Sequence, residues 1–481
     1  MLLNCAILGS GNLTVNGTLN WSNGALNAGG VITIGSGGVL AIGPNNVTLA
    51  RTVNNGGAAT WVGGNLAMSA GSAFNNLAGG TLDITADGRL GTTTAAINNS
   101  GLVRQTAGTA GTTIGAQFNN SGTLQVQTMT LGLNNGGTHS GTFSNAPSAT
   151  LALTGGSHVL TSSSLVTGAG SLALSGGATT LAASGTFDAG TTLSVTAGAV
   201  TLAAGCVVTG TTLNINSGVL NYDSAGSVGV VSLNGGTLGG TSPVNVTGLL
   251  TLAGGTVTNS MVIANAGLNI NGGGFILNGG KLVNPGLAVW SAGNLTGANG
   301  AVFSNLFGAT FINTFDGNAP SGAGATPTFI NAGVFQKTNG TAALGATAID
   351  FNFINTGTVE VRTNTLNFNF NQQTAGLTLL DGGALSGKAG GGGGTAQPIQ
   401  ILGGSLVGTG LVTVANTAHL INSAAISPGL PLGELDVSGD YQQTSSGALN
   451  IEVGAMCLEQ DLIWSRSRPA ERGEWPRLEA R

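Results

Sequence analysis

Residues 171–218 of this chain read SLALSGGATTLAASGTFDAGTTLSVTAGAVTLAAGCVVTGTTLNINSG. Three times in this stretch, a short segment with apolar residues at positions i and i+2 is followed by two small residues, the second of them glycine. The apolar segments are Leu172–Leu174, Leu193–Val195 and Leu213–Ile215, and the glycines are Gly177, Gly198 and Gly218. Apolar residues two apart share one face of a β-strand, and glycine permits the positive φ of a tight turn. The pattern therefore predicts short strands that end in glycine turns.

The same unit continues beyond this stretch with a nearly constant length. Gly236 and Gly255 extend the series, so that successive glycines lie 21, 20, 18 and 19 residues apart. Units of about 20 residues without helical periodicity are typical of the coils of a parallel β-solenoid. A single coil does not bury enough apolar surface to offset the backbone entropy that it loses, so coils must stack on one another. We predict an all-β parallel solenoid of about 20 coils.

A long internal duplication supports the prediction of a stacked array. Residues 61–88 align without a gap on residues 290–317, and 13 of the 28 positions are identical. The identical positions include Trp61 and Trp290, Phe74 and Phe303, and Asp87 and Asp316. Repetition at a fixed offset on this scale favours an elongated array over a globule with one core.

The duplication also suggests how the chain is organised. We predict a first half of the solenoid over residues 1–240 and a second half over residues 241–456. The second half contains the duplicate of residues 48–143 and a closing segment over residues 410–456. Charged residues concentrate in residues 457–481, and we expect this tail to be disordered or derived from a frameshift.

Two side-chain types are expected to stack from coil to coil. An Asn–small–Gly motif recurs at Asn99, Asn120, Asn331 and Asn355, and asparagines stacked at equal positions can form a ladder of side-chain hydrogen bonds. Ten of the 15 phenylalanines lie between residues 303 and 370. We expect them to stack inside the solenoid rather than to form an exposed sugar-binding strip. The i+4 spacing of Phe303, Phe307, Phe311 and Phe315 is interpreted as strand and turn, not helix.

The composition excludes some classes of function. Charged residues make up 6% of the chain and the formal net charge is −5, without a basic cluster in the first 456 residues, so nucleic-acid binding is not expected. No apolar run reaches membrane-spanning length. Cys5, Cys206 and Cys457 are far apart in sequence; we expect no disulfide and no metal site, and we place Cys206 in the core.

The C-terminal part of the body carries a resemblance. Gly404–Val414 leads to Ser427-Pro-Gly429, then to Tyr441-Gln-Gln443 and to TSSGALNIEVG at residues 444–454. This region, about residues 410–464, resembles the closing segment of bacterial autotransporter-type and related β-strand-repeat surface proteins. The resemblance implies a right-handed parallel β-helix, exported to the cell surface or the medium, with an adhesive or scaffolding role. Because the chain has no signal peptide, translocating barrel or haemagglutinin-type secretion motif, we expect it to be a fragment.

An enzyme is the main alternative, since parallel β-helices also host polysaccharide lyases and hydrolases. Glycoside hydrolysis needs two convergent carboxylates, but Asp188, Asp223, Asp350 and Glu360 are isolated in sequence. Glu434 and Asp436 share a strand face with Asp440 nearby, and a solvated face is the simpler interpretation. His139, His158 and His419 are interpreted as surface or turn histidines. Asp87-Gly88, Asp316-Gly317 and Asp381-Gly382 offer oxygens to calcium but lack the repeat of calcium β-rolls.

The sequence thus predicts a non-enzymatic exported β-solenoid that acts as a surface-structural or adhesive passenger or stalk. No residue is assigned a catalytic, cofactor-binding or metal-binding role, and no cofactor is expected. The expected partners are host or environmental surface glycans or proteins. A polysaccharide-active lyase or hydrolase is the first alternative, and a fragment without autonomous function is the second.

Overall fold

All regular secondary structure in the described part of this computed structural model is β-strand. The structure describes residues 2–452, except residues 4–6, 8, 28, 182–184, 188–190, 209–210, 225, 341–344, 389–395, 416–417 and 430–431. The predicted tail at residues 457–481 lies outside the described residues, as do Cys5, Cys457 and Asp188. The described residues form no helix that could cross a membrane.

The chain divides into two units, and the boundary falls after Thr247. In the first unit the strands stack in three columns, and each coil passes once through each column. The first column comprises Leu13–Val15, Ile32–Ile34, Thr52–Asn55, Ala73–Asn76, Ala96–Asn99, Gln117–Asn120, Gly137–His139, Ser157–Leu160, Ala178–Leu181, Ala199–Leu202, Val219–Tyr222 and Thr237–Gly239. The second comprises Leu2–Leu3, Thr18–Trp21, Val39–Ile42, Ala58–Trp61, Thr81–Ile84, Leu102–Gln105, Thr123–Val126, Thr142–Asn145, Leu165–Thr167, Thr186–Phe187 and Val207–Val208. The third comprises Gly24–Leu26, Val47–Leu49, Gly64–Met68, Gly88–Leu90, Thr112–Ile114, Thr130–Leu133, Thr150–Leu153, Ser171–Leu174, Thr192–Val195, Thr212–Ile215 and Val231–Leu233, and a further pair is Ser227–Val228 with Val244–Val246.

The second unit is built in the same way, with longer strands toward its end. Its strands are Leu250–Leu252, Thr256–Val257, Met261–Ala264, Leu268–Asn271, Phe275–Asn278, Lys281–Asn284, Leu287–Ala292, Leu295–Ala298, Val302–Asn305, Thr310–Asn313, Asn318–Ala319, Thr328–Asn331, Val334–Lys337, Ala346–Asn355, Thr358–Val361, Thr365–Gln373, Leu377–Gly387, Ile399–Ile401, Ser405–Thr413, His419–Asn422, Ala425–Pro428, Leu435–Ser438, Asp440–Gln443 and Ala448–Leu449. The ladders between the strands of successive coils are parallel. The prediction of an all-β parallel solenoid of about 20 turns is confirmed.

The predicted inward faces are confirmed residue by residue. Leu172 and Leu174 stack on Leu193 and Val195, which in turn stack on Leu213 and Ile215. All six side chains are buried, whereas the residues between them are not. The period-2 alternation of a strand therefore separates core from surface in each coil.

The recurring glycines form turns that stack closely. Positive φ, predicted for these turns, is found at four of the five glycines, with values between 66° and 77° at Gly177, Gly198, Gly218 and Gly255. Gly236 does not have a positive φ. A Cβ on Gly177 would collide with the carbonyl oxygen of Gly156, one coil away. Glycine is therefore required at this turn both for its φ and for the approach of neighbouring coils.

The two copies of the duplicated block have equivalent cores. Trp61 and Trp290 are buried at corresponding positions, as are Phe74 and Phe303. In the second unit, Phe303, Phe329 and Phe353 form a stack with ring centroids 4.7 and 5.2 Å apart. Phe311 and Phe335 form a second stack, at 5.2 Å, that meets the first edge to face.

These stacks confirm the prediction of buried aromatic residues, and offset and edge contacts are the favourable arrangements. Phe303 and Phe311 lie in strands and Phe307 in a turn, as predicted. Phe307 is an exception to the predicted burial, since this turn residue is 92% exposed. Cys206 is buried in the core, also as predicted.

The predicted asparagine ladder is present in both copies and is longer than the motif indicated. Each Nδ2 donates to the Oδ1 of the next asparagine at 2.8 Å, and the series are Asn55–Asn76–Asn99–Asn120 and Asn284–Asn305–Asn331–Asn355. All eight side chains are buried. Asn76 and Asn99 also donate to the backbone oxygens of Leu102 and Thr123. We call these two series the inner ladders; they satisfy polar groups that would otherwise be costly to bury.

Candidate functional site

Several acidic side chains, some of them named in the sequence analysis, form contacts within or between coils. Asp83 accepts two hydrogen bonds from Arg104, at 2.5 and 3.0 Å. Asp350 contacts the Nζ of Lys388 at 2.6 Å. Glu360 accepts from Arg362 and from Gln336 of the preceding coil.

Asp87 is held by the turn that follows it one coil later. Its carboxylate accepts hydrogen bonds from the backbone N–H groups of Thr109, Ala110 and Gly111 and from the hydroxyl of Thr109, at 2.8–3.0 Å. The bonds from Thr109 are the main cause that lowers the pKa of Asp87 to about 2, because they favour the charged form. Asp223 likewise accepts the N–H and the hydroxyl of Thr241.

The equivalent acid in the second copy, Asp316, has a different partner. Its Oδ1 lies 2.8 Å from the Nζ of Lys337, and the two side chains are 8% and 0% exposed. Asn364 also donates to Asp316. The duplicated aspartates therefore serve two separate purposes, one binding a turn and the other a buried cation. The oxygens that the sequence offers to calcium thus accept N–H donors in both copies.

The interpretation of His139 and His158 as surface or turn histidines is wrong. Both side chains are fully buried, and the Nε2 of His139 lies 3.1 Å from the Nδ1 of His158. Burial, with His158 as the second cause, lowers the pKa of His139 to about 3, and burial also lowers the pKa of His158. The two rings meet because strands Gly137–His139 and Ser157–Leu160 are adjacent in the first column. His419 is half-buried.

The acidic group of the closing segment stays near the surface. Glu434 and Asp440 are exposed, and Asp436 is half-buried between the buried residues Leu435 and Val437 of its strand. Asp381 is exposed as well. In the part of the chain that the structure describes, no three His, Cys, Asp or Glu side chains come together as metal ligands.

The outer surface of the first unit carries a second amide series that sequence analysis missed. Asn54, Asn75, Asn98 and Asn119 each precede an inner-ladder asparagine, and neighbours are joined by Nδ2–Oδ1 hydrogen bonds of 2.8–2.9 Å. These side chains are half-buried and point away from the core. We call this series the outer ladder. Each of its members is the first residue of an Asn–Asn pair, and this recurring pair is the sequence pattern that indicates the outer ladder.

A shallow depression of about 410 Å³ adjoins the outer ladder. Ala73 and Ala96, two residues before Asn75 and Asn98 on the same strands, line it together with threonine, Gln117 and Asn135. The lining contains no charged residue. This surface can donate and accept hydrogen bonds through amides and hydroxyls, and its lining offers no group that exchanges a proton readily at neutral pH.

Comparison of the chain with protein families, with curated proteins and with solved structures finds no match. The chain is therefore defined by its fold, a parallel β-solenoid with stacked amide and aromatic residues.

Proposed function

We propose that this protein is an exported, non-enzymatic β-solenoid that acts as a structural or adhesive stalk at the cell surface. The observation that carries this proposal is the use of its charged side chains. Asp83, Asp87, Asp223, Asp316 and Asp350 each bind a residue of another coil. Catalytic carboxylates must instead point at a shared substrate position, so this use favours a mechanical role for the acids.

The chemistry of the outer surface supports an adhesive role. In the outer ladder, each bond uses one of the two N–H groups of an amide and one of the two lone pairs of its partner. The second N–H and the second lone pair are then available to a partner at the regular spacing of the coils. Neutral hydroxyl-rich glycans and protein backbones are ligands that match uncharged amides, and surface glycans or proteins are the partners that we propose.

The test compares binding with turnover for the purified chain. We expect the chain, immobilised on a sensor, to bind a panel of surface glycans and extracellular proteins while leaving pectin, alginate, glucans and chitin at their original length. Turnover of any of these polysaccharides that is abolished by Asp223→Ala or a similar acidic substitution would overturn the proposal in favour of a polysaccharide-active enzyme.

The proposed location is tested separately in the source cells. Antibody raised against the purified chain should label unpermeabilised cells or the cell-free medium. Labelling that requires permeabilisation would contradict export, whatever the binding panel shows.

A further inference from the structure

A buried lysine in the second unit lies against an asparagine and an aspartate. Lys337 ends the strand Val334–Lys337 and is in register with Asn313, which ends the strand Thr310–Asn313 in the preceding coil. Both side chains are fully buried. The Nζ of Lys337 lies 3.5 Å from the Oδ1 of Asn313 and 2.8 Å from the Oδ1 of Asp316.

The surroundings polarise the side-chain carbonyl of Asn313. Its Oδ1 accepts the backbone N–H of Phe315 at 2.9 Å, and the hydroxyl of Thr347 lies 3.5 Å away. Donors placed around a carbonyl oxygen stabilise the negative charge that develops when a nucleophile attacks the carbon. Among the described residues, the buried Nδ2 of Asn313 has no hydrogen-bond partner, so no hydrogen bond found there opposes its departure as a leaving group.

Lys337 itself is an unusual residue for a core. Besides Asp316, the partners of its Nζ in the described part of the chain are neutral oxygens, among them the backbone carbonyls of Phe315, at 3.2 Å, and Asn339. Keeping a cation and a carboxylate out of water is costly even when they are paired. A reaction that replaces the ammonium by a neutral amide removes that cost.

From this arrangement we propose that Lys337 and Asn313 form an intramolecular isopeptide bond. Asp316 takes a proton from the Lys337 ammonium, and the neutral Nζ attacks the Cγ of Asn313. The Cγ–Nδ2 bond then breaks. Nζ gives up two protons in total: one stays on Asp316, which ends as a neutral carboxylic acid, and the other is delivered to Nδ2, which departs as ammonia, so that both buried charges are removed. The step is redox-neutral and needs no co-reactant.

The position of the three groups explains why the reaction needs no enzyme. Folding brings nucleophile, electrophile and proton acceptor into contact in one dry site, which replaces encounter in solution by a high effective concentration. A side-chain proton acceptor at 2.8 Å from the nucleophile is within reach for general base catalysis. The product joins two adjacent coils covalently.

The first copy of the duplicated block provides an internal control. There, Ile84 and Gln105 occupy the register positions of Asn313 and Lys337. Asp87, the counterpart of Asp316, binds the turn at Thr109 instead. The first copy therefore has the same architecture without the lysine nucleophile, and no isopeptide bond forms between Ile84 and Gln105.

The decisive measurement is peptide mass spectrometry of the purified full-length chain after trypsin digestion. Trypsin cleaves after unmodified lysine and arginine, so the unreacted chain gives peptides 282–337 and 338–362. We expect instead one species that spans residues 282–362, lighter than its sequence mass by about 17 Da, the mass of ammonia. Fragmentation should place the link between Asn313 and Lys337.

Recovery of the two separate peptides at full mass from the wild-type protein would overturn the proposal. A loss of about 18 Da that maps to Asp316 would overturn the assignment of Asn313, because it indicates condensation of Lys337 with the carboxylate. Neither outcome depends on whether a variant folds.

Variants assign the roles. Asn313→Ala and Lys337→Arg should both give the full sequence mass, and Lys337→Arg does so while it keeps the positive charge beside Asp316. In Asp316→Asn we expect the linked fraction to accumulate at least about tenfold more slowly after refolding, since general base catalysis contributes factors of about 100 or more. Asp87→Asn, the matched change in the first copy, should leave the link complete.

Discussion

The buried histidine pair makes the first unit sensitive to mild acid. A neutral imidazole without charge partners is stable in the core, but unfolding exposes it to water, where it binds a proton near its ordinary pKa of 6.5. The pKa of His139 is about 3 in the folded state. The unfolded state therefore binds more protons between these two values, and the stability falls as the pH decreases. Above pH 6.5 both states are neutral at this site and the effect vanishes.

The magnitude follows from the size of the shift. Each pH unit below the unfolded pKa costs about 1.4 kcal/mol per group, so His139 alone should destabilise the folded state by about 2 kcal/mol at about pH 5. His158 acts in the same direction because burial lowers its pKa as well. The expected loss is a large fraction of the stability of a typical domain.

The assay compares two pH values in the wild type and in a double variant. His139→Asn places an asparagine in register with Asn120. His158→Leu places an apolar side chain opposite Gly137. The protein is first equilibrated in urea at each of the two pH values and then labelled by hydrogen exchange at one fixed pH. The free energy of opening is obtained for the peptides that cover residues 137–160. The wild type should lose at least about 2 kcal/mol more than the double variant between about pH 7.5 and about pH 5, because the variant removes both histidines. Equal pH dependence in the two proteins would refute the reasoning.

Three further changes test the stacked core, each against a neighbouring or equivalent control. Asn99→Ala breaks an inner ladder, because Asn76 loses one of its acceptors and Asn120 loses the donor to its Oδ1. Urea unfolding should show a loss of about 1–3 kcal/mol, whereas Asn98→Ala on the outer ladder should cost clearly less. Phe329→Ala removes the centre of an aromatic stack and should cost about 3–5 kcal/mol, against less than about 0.5 kcal/mol for the exposed Phe307→Ala. Gly177→Ala introduces a Cβ at positive φ against the carbonyl oxygen of Gly156 in the preceding coil, and it should lower the melting temperature. Gly273→Ala adds a Cβ that meets nothing within 4 Å, and it should leave the melting temperature nearly unchanged. Equal effects of the two changes in any of these three pairs would contradict the packing described.

Much of the local structure could be predicted because it depends on residues close in sequence. Leu172 and Leu174 identify an inward strand face, and Gly177 identifies the turn that follows, since strand alternation and glycine φ are properties of a few consecutive residues. The inner ladders were also predictable in part, because Asn–small–Gly motifs recur at coil length. The burial of Lys337 is also predictable from the sequence. Lys337 lies two residues after Phe335 in one strand, so the two side chains point to the same face.

The exact partners of most side chains in neighbouring coils could not be predicted, because the number of residues per coil varies. Asn305 meets Asn331 across 26 residues, whereas Asn284 meets Asn305 across 21. Extra residues are absorbed in turns without changing the register of the strands, so sequence separation does not identify stacked partners. His139 and His158 have no acidic neighbour in sequence, which favours the surface interpretation, although they are one coil apart and form a buried pair.

The sequence by itself determined that this chain is a stack of short parallel strands with apolar inward faces and glycine turns. Those features follow from the period of a strand and from backbone sterics, which act within a single coil. Only the tertiary structure decided which polar side chains meet inside the stack. In the second copy it brings Asn313, Asp316 and Lys337 together. In the first copy Asp87 instead accepts hydrogen bonds from the turn at Thr109. The physical reason is that these encounters depend on the register between coils, and register is set by the packing of the whole stack.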